Sequence, residues 1–409
     1  MRISTWLSIR RLLLPVWTTL FISLLTTSVI NKAWAQASSF TAAKVEDGTD
    51  CNWPFSAMAT NPVDGKIYAL WRKGADVNVT YKLIRWDGSS WTTLSTFTTA
   101  NGTSSSIKVP DFSGGSDYVS LAIDATGRFH VAFKGGSASV GREAIWYGLS
   151  PTGTTWSFQS LQALPANSIN QSLLDQVIEV DPQNQPHVAF LYTTAEAPRS
   201  YTLRYFRLVG GSWVGETAIT QSGSSNGGTV SNEIARFDLA IDKNAKAHLS
   251  FRRELNGTGR DGSLFYMNNT SGSWSTPQEL VAGNTAQAQG VTNTIDTDAA
   301  NNVHIVHSDY QHKLYYTTNE SGSFVTNQIN GNVTGDVYSK HTLRINGKGD
   351  KFVVYNDNIS SPTKLNYAYQ LAGTSGSTWT TGTAYTPTEA GNGGNYYSGL
   401  MSDDRRIMV

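Results

Sequence analysis

Three histidines, an aspartate and three tyrosines crowd into fourteen residues, "VHIVHSDYQHKLYY" at 303–316. Neutral imidazoles and a carboxylate at such spacing can ligate a metal ion. A histidine and a tyrosine can also divide the roles of base and acid in a proton transfer. Alternatively, the cluster is one copy of a packing motif, which is settled by asking whether its residues recur elsewhere.

They do recur. "LAIDATGRFHVAF" (121–133) returns as "IEVDPQNQPHVAF" (178–190), "LAIDKNAKAHLSF" (239–251) and "IDTDAANNVHIVH" (295–307). Weaker copies are "ATNPVDGKIYALW" (59–71), "LRINGKGDKFVVY" (343–355) and the partial "GLMSDDRRIMV" (399–409). Each reads as strand, polar turn, strand, with alternation in the second strand. One position of that strand is held by Tyr68, His130, His187, His248, His304, Phe352 and Met408, at intervals of 48–62 residues. Between copies runs a second hairpin, with a Leu/Ile-x-Tyr strand such as "LRY" (203–205) and "LYY" (314–316). A glycine turn and an aromatic follow, as in "GGSW" (210–213) and "SGSW" (271–274). His130, His187, His248 and His304 therefore answer a repeated packing problem by bonding a neighbouring turn or strand. Asp124, Asp181, Asp242 and Asp298, six residues earlier, cap the turns. A calcium loop at these turns lacks the run of oxygen ligands it would need.

Two hairpins per unit make four strands, and such units at this spacing predict a β-propeller, whose ring buries the blade faces and removes most exposed edges. The expectation is an all-β, seven-bladed propeller of four-stranded antiparallel blades. Six units are whole, and the seventh is closed by an N-terminal strand, "SSFTAAKVED" (38–47). An open solenoid and a six-blade ring are the alternatives.

The hairpins resemble the BNR, or Asp-box, propellers of the sialidase-like superfamily, and the chain also resembles secreted bacterial propellers with an "IDxxGxxHVAY" signature. "SPTGTTW" (150–156) comes nearest to the family's S-x-D-x-G-x-T-W, lacking its aspartate and one residue. The likeness spans nearly all of the chain after residue 35 and implies the fold. The family's three arginines, acid aspartate and Tyr/Glu pair match no local motif here, so its active site does not carry over.

At the N-terminus Arg2, Arg10 and Arg11 precede an apolar run, Leu12 to Ile30, and the small-residue pattern "AWAQA". This reads as a signal peptide over 1–35, leaving one propeller domain over 36–409 and a secreted or periplasmic protein; a membrane anchor is the other reading. Removing residues 1–35 leaves 27 basic against 31 acidic side chains, which excludes a global basic field for nucleic acid. The single cysteine, Cys51, allows no internal disulfide and suits a buried apolar position. The expected partner is an extracellular, acidic glycan, with no nucleic acid and no membrane after cleavage. A monomer is the default. No cofactor is expected, although a structural divalent cation stays open.

Loops that leave the second strands and enter the first ring a propeller's channel. There the sequence places Trp53, Trp71, Arg72, Lys134, Tyr192, Arg252, Arg253, Asp309, Tyr310, His312 and His341. Arg and Lys hold carboxylates or sulfates, and flat aromatics stack on sugar faces. His307 stands where other units carry Trp71, Phe133, Phe190, Phe251 and Tyr355, either as a polar-tipped core ring or as a catalyst. Several polysaccharide lyase families are seven-bladed propellers with His, Tyr and Arg in the channel. That resemblance implies His307 or His312 as base, Tyr310 as acid, and Arg252 or Arg253 on a uronic carboxylate. A glycoside hydrolase would need paired carboxylates, for which Glu233, Glu254, Asp309 and Asp357 are candidates. A metal at His307, Asp309 and His312 is the remaining reading. The alternative function is a non-catalytic lectin-like or protein-binding scaffold.

Overall fold

The computed structural model describes residues 56–73, 80–98, 119–137, 142–163, 168–194, 200–226, 229–231, 234–254, 262–284, 288–332, 341–357, 364–374, 378–386, 400–401 and 407–408. All described residues belong to one compact unit, which falls within residues 44–409.

Those residues form six four-stranded antiparallel blades, each a meander in chain order. Blade 1 is Ser56–Thr60, Ile67–Lys73, Thr80–Trp86 and Trp91–Thr98. Blade 2 is Val119–Ile123, Phe129–Ser137, Arg142–Ser150 and Ser157–Ala163. Blade 3 is Ser168–Val180, Pro186–Thr194, Ser200–Val209 and Ser212–Ser222. Blade 4 is Ile234–Ile241, Ala247–Arg253, Ser263–Asn268 and Gln278–Val281. Blade 5 is Gln289–Thr297, Val303–Asp309, Lys313–Thr318 and Val325–Asn332. Blade 6 is Thr342–Ile345, Lys351–Asp357, Lys364–Gln370 and Thr380–Tyr385. The first strands of successive blades pack side by side and so form the inner wall.

The expected seventh blade is corrected: the blades number six. The last partial copy supplies only Leu400–Met401 and Ile407–Met408, a two-stranded ladder with the pairs Leu400↔Met408 and Met401↔Ile407. Among the described residues no third or fourth strand joins these two rungs, which do not make a blade. The segment 38–47, expected to close it, lies outside the described residues. A further two-stranded sheet, Ser224–Asn226 with Thr229–Ser231, lies in the connection between blades 3 and 4.

The second strands are the most buried, as in Val303–Asp309, where every residue is buried. The outer strands alternate exposed and half-buried positions, as in Ser212–Ser222, and are rich in Thr, Ser and Gln. In each blade the register slips once between the third and fourth strands, for example at Leu83/Ile84, Leu203/Arg204 and Leu365/Asn366. A repeated bulge adds twist to the outer edge. The apolar cores fill the spaces between blades. The largest joins blades 3 and 4 through Leu191, Tyr201, Leu203, Phe237, Leu249 and Phe251.

The repeated tyrosine and the aromatic after the glycine turn meet across these spaces. Trp213 sits edge-on to Tyr147 of the preceding blade at 4.8 Å, Trp274 to Tyr205 at 5.2 Å, and Trp379 to Tyr316 at 5.1 Å. Offset edge-to-face pairs add to the stability that area burial gives.

Candidate functional site

The turn aspartates and second-strand histidines form a bracket in blades 2 to 4. Asp124 Oδ1 accepts the amides of Thr126 and Arg128 at 2.9 Å, and its Oδ2 accepts His130 Nε2–H at 3.3 Å. With Nε2 as donor, His130 Nδ1 accepts the Tyr147 hydroxyl at 2.8 Å. Asp181, His187 and Tyr205 repeat the arrangement, as do Asp242, His248 and Tyr266. Burial would raise the Asp124 carboxyl, but hydrogen bonds from Thr126, Arg128 and His130 outweigh it and hold the group at about 2. Burial pushes His130 and His248 below the usual histidine value, so both are neutral near pH 7. Blade 5 keeps the Tyr316 hydroxyl on His304 Nδ1 at 2.5 Å, while His304 Nε2 lies 3.4 Å from Asp298 without an aligned hydrogen bond. The bracket fixes turn to strand, as the repeat implies.

The residues picked out for chemistry lie at the other end of the blades, where second strands end and first strands begin. Trp53 lies outside the described residues. Trp71 and Arg72 end the second strand of blade 1, and Lys134 lies in that of blade 2. Tyr192 is half-buried 6.2 Å from Phe190. Arg252 is buried, its Nη2 2.9 Å from Glu254 Oε1. It lies so close to the backbone that a Cβ on Gly262 would sit 2.3 Å from its Nε, which accounts for the glycine. Arg253 lies 5.6 Å over the Phe265 ring.

Blade 5 resolves "HSDYQH". Asp309 Oδ1 accepts the Lys313 amide at 2.8 Å, its carbonyl accepts the His312 amide at 3.1 Å, and its Oδ2 accepts the Tyr315 hydroxyl at 3.1 Å. His312 has φ +67°, as do Gly127 (+85°), Asn184 (+64°), Ala245 (+58°) and Asn301 (+65°) in the bracket turns. Asp309 and His312 thus build the same Asp-x-x-αL turn at the opposite end of the blade, with histidine tolerated at positive φ. The Tyr310 amide is bonded to the Ala288 carbonyl at 2.9 Å. His307, fully buried, stacks on Tyr315 at 5.4 Å, and neither ring nitrogen finds a partner among the described residues. Burial, then the charge of His341, pushes it down to about 3. His341 is also buried with both ring nitrogens unpartnered among the described residues, and burial lowers it to about 4.

A second set of ionisable groups lines the inner wall, unanticipated from the sequence. Two residues before the turn, the first strands carry Ala59, Ala122, Glu179, Ala240, Asp296 and Arg344. Glu179, Asp296, Asp238 and Arg344 lie near enough for their charges to act on one another. Asp238 Oδ2 accepts Thr294 Oγ1–H at 2.8 Å and the Ile295 amide at 3.0 Å, and Asp296 Oδ2 accepts the Ile345 amide at 2.8 Å. No hydrogen bond or ion pair reaches the Glu179 carboxylate among the described residues. Burial raises it to about 8, against the opposing pull of Arg344, and burial likewise raises Asp296 to about 6. At neutral pH Glu179 carries a proton while Asp296 is mostly ionised. The available signal was a charge at a repeat position that other blades fill with alanine.

No protein-family model matches the sequence, and no curated protein matches it. Among solved structures, the chain is similar to the BP39L lectin from Burkholderia pseudomallei, at 11% identity and TM-score 0.53, over 84% of this chain and 88% of that one. It is likewise similar to an α-L-arabinanase from Penicillium chrysogenum complexed with arabinobiose, at 10% identity and TM-score 0.51, over 81% of this chain and 97% of that one. At such identities the likeness speaks to the fold, a β-propeller.

Proposed function

We propose that this β-propeller recognises a glycan where its second strands end and its first strands begin. The observation that carries the reading is the concentration there, and along the inner wall, of polar groups that the repeat does not require: Arg252, Glu254, Tyr310, Glu179 and Arg344. The two propellers of similar fold support it, one described as a lectin and the other holding arabinobiose. The signal-like segment 1–35 supports an extracellular ligand. Arg252 and Arg253 suit an acidic sugar, with Tyr310 as a half-exposed contact.

Purified protein is presented to a panel of acidic and neutral polysaccharides, with Tyr310→Ala as the binding variant. Binding to at least one glycan is expected, weakened about fivefold by the substitution, as losing one aromatic contact of roughly 1 kcal/mol implies. No binding anywhere in the panel at millimolar saccharide overturns the reading.

A second reading, turnover of the bound glycan, rests on Glu179. A carboxylic acid that keeps its proton at pH 7 beside an ionisable carboxylate such as Asp296 is the pairing glycoside hydrolysis uses. New reducing ends that disappear in Glu179→Gln distinguish turnover from binding alone.

A further inference from the structure

His304 and His307 lie three residues apart on one strand of blade 5, and the rim reading leaves His304 aside. In blades 2 to 4 the bracket histidine donates Nε2–H to its turn aspartate. In blade 5 the same pair lies at 3.4 Å, as in blade 4, but without hydrogen-bond alignment. His304 is 0% exposed, and its Nε2 points between two carboxylates, 3.4 Å from Asp298 Oδ2 and 3.9 Å from Glu320 Oε1, with a hydrogen bond to neither. A buried nitrogen left in this way calls for an explanation, an unseen ion among them.

Three features favour an ion. One ligand atom from each of Asp298, His304 and Glu320 falls within a span of 4.8 Å, the one such His/Cys/Asp/Glu group among the described residues. Tetrahedral zinc with ligands at about 2.0–2.2 Å holds them roughly 3.3–3.6 Å apart, which the 3.4 Å spacing already meets and the 3.9 Å spacing approaches. Finally, the outer shell is in place. The Tyr316 hydroxyl, 2.5 Å from Nδ1, can accept its N–H and so direct Nε2 to the metal, and Asn302 Nδ2 donates to Asp298 Oδ2 at 2.8 Å. Glu320 is 42% exposed, which gives an ion a way in.

One group opposes it. Lys351 of blade 6 places Nζ 2.9 Å from Glu320 Oε1, so an ammonium already supplies positive charge there. A divalent ion would take over the carboxylate and release the lysine.

We propose that Asp298, His304 and Glu320 form a zinc site at the turn end of blade 5, independent of the glycan reading. Metal-stripped protein is titrated with Zn²⁺ at pH 7 by calorimetry, alongside Glu320→Gln and Lys351→Met; the glutamate is exposed enough for its replacement to leave folding intact. One equivalent is expected to bind the natural chain, at least tenfold more weakly in Glu320→Gln and more tightly in Lys351→Met. Zn²⁺ should raise the unfolding temperature of the natural chain more than that of Glu320→Gln. Equal affinity in the natural chain and Glu320→Gln places any zinc elsewhere and overturns the proposal. No binding to the natural chain also overturns it; if Lys351→Met then binds, the lysine is the resident cation.

Discussion

The brackets of blades 2 to 4 bury ionisable side chains and the inner wall of blades 3 to 6 holds them half-buried, with opposite results. In a bracket the carboxylate accepts backbone amides and an imidazole, and the imidazole accepts a tyrosine hydroxyl. The chain of Tyr, His and Asp has the connectivity of a catalytic relay, yet it recurs unchanged from blade to blade and every ring nitrogen is used. On the wall, Glu179 and Arg344 occupy positions that other blades give to alanine, and Glu179 finds no partner among the described residues. Perturbed pKa values occur in both regions. Departure from the repeat, together with unmet bonding, separates a site from a strut.

The largest test breaks a bracket. His187→Ala leaves the Tyr205 hydroxyl and the Asp181 carboxylate buried without their shared partner, and should cost on the order of 3 kcal/mol in thermal or denaturant unfolding. A loss below about 1 kcal/mol would mean that the bracket is not a strut.

The second test uses the sign of the pH dependence. Glu179 has an ordinary value of 4.5 and about 8 when folded, so the folded chain holds a proton that the unfolded chain has released. Its contribution is complete below pH 4.5 and is lost as the pH rises through 8. The neutral histidines of the brackets act in the other direction. His130 and His248 sit below 6.5 in the fold, so stability falls as the pH drops beneath 6.5 and the unfolded chain takes up protons first. Glu179→Gln should flatten the decline in unfolding temperature between pH 4.5 and 8 and leave the acid side intact. An unchanged alkaline limb would remove Glu179 from the comparison.

The smallest effect sharpens the boundary case. His307→Phe restores the ring found at Phe133, Phe190 and Phe251 and deletes two unbonded buried nitrogens, which should gain about 1 kcal/mol. A loss of stability would reveal a partner for His307, and a loss of glycan binding at raised stability would mark it as functional.

The sequence made the brackets legible because both partners recur at a fixed spacing of six residues, and alternation identified the strands that carry them. The blade count was less accessible. "GLMSDDRRIMV" has the strand–turn–strand pattern of the other copies, but the pattern does not reveal that its ladder is only two rungs long. "DYQHK" carries the same turn spacing as "DATGR", hidden because histidine, rather than glycine, takes the positive φ. Glu179, Asp296 and Arg344 were harder still. Inside alternating strands a charge reads as a solvent-facing residue, and only alignment with Ala122 and Ala240 shows it entering a packed wall.

The bonds between neighbouring first strands run one way. Ser120, Asp238 and Thr294 hold out acceptors that take the amides of Ile178, Ile295 and Leu343, each in the blade that follows. Across these joints the finished blade offers the acceptor and the newcomer brings the donor, 58, 57 and 49 residues later. Such an arrangement suits growth on the ribosome: at these three joints the emerging blade finds a template already standing behind it.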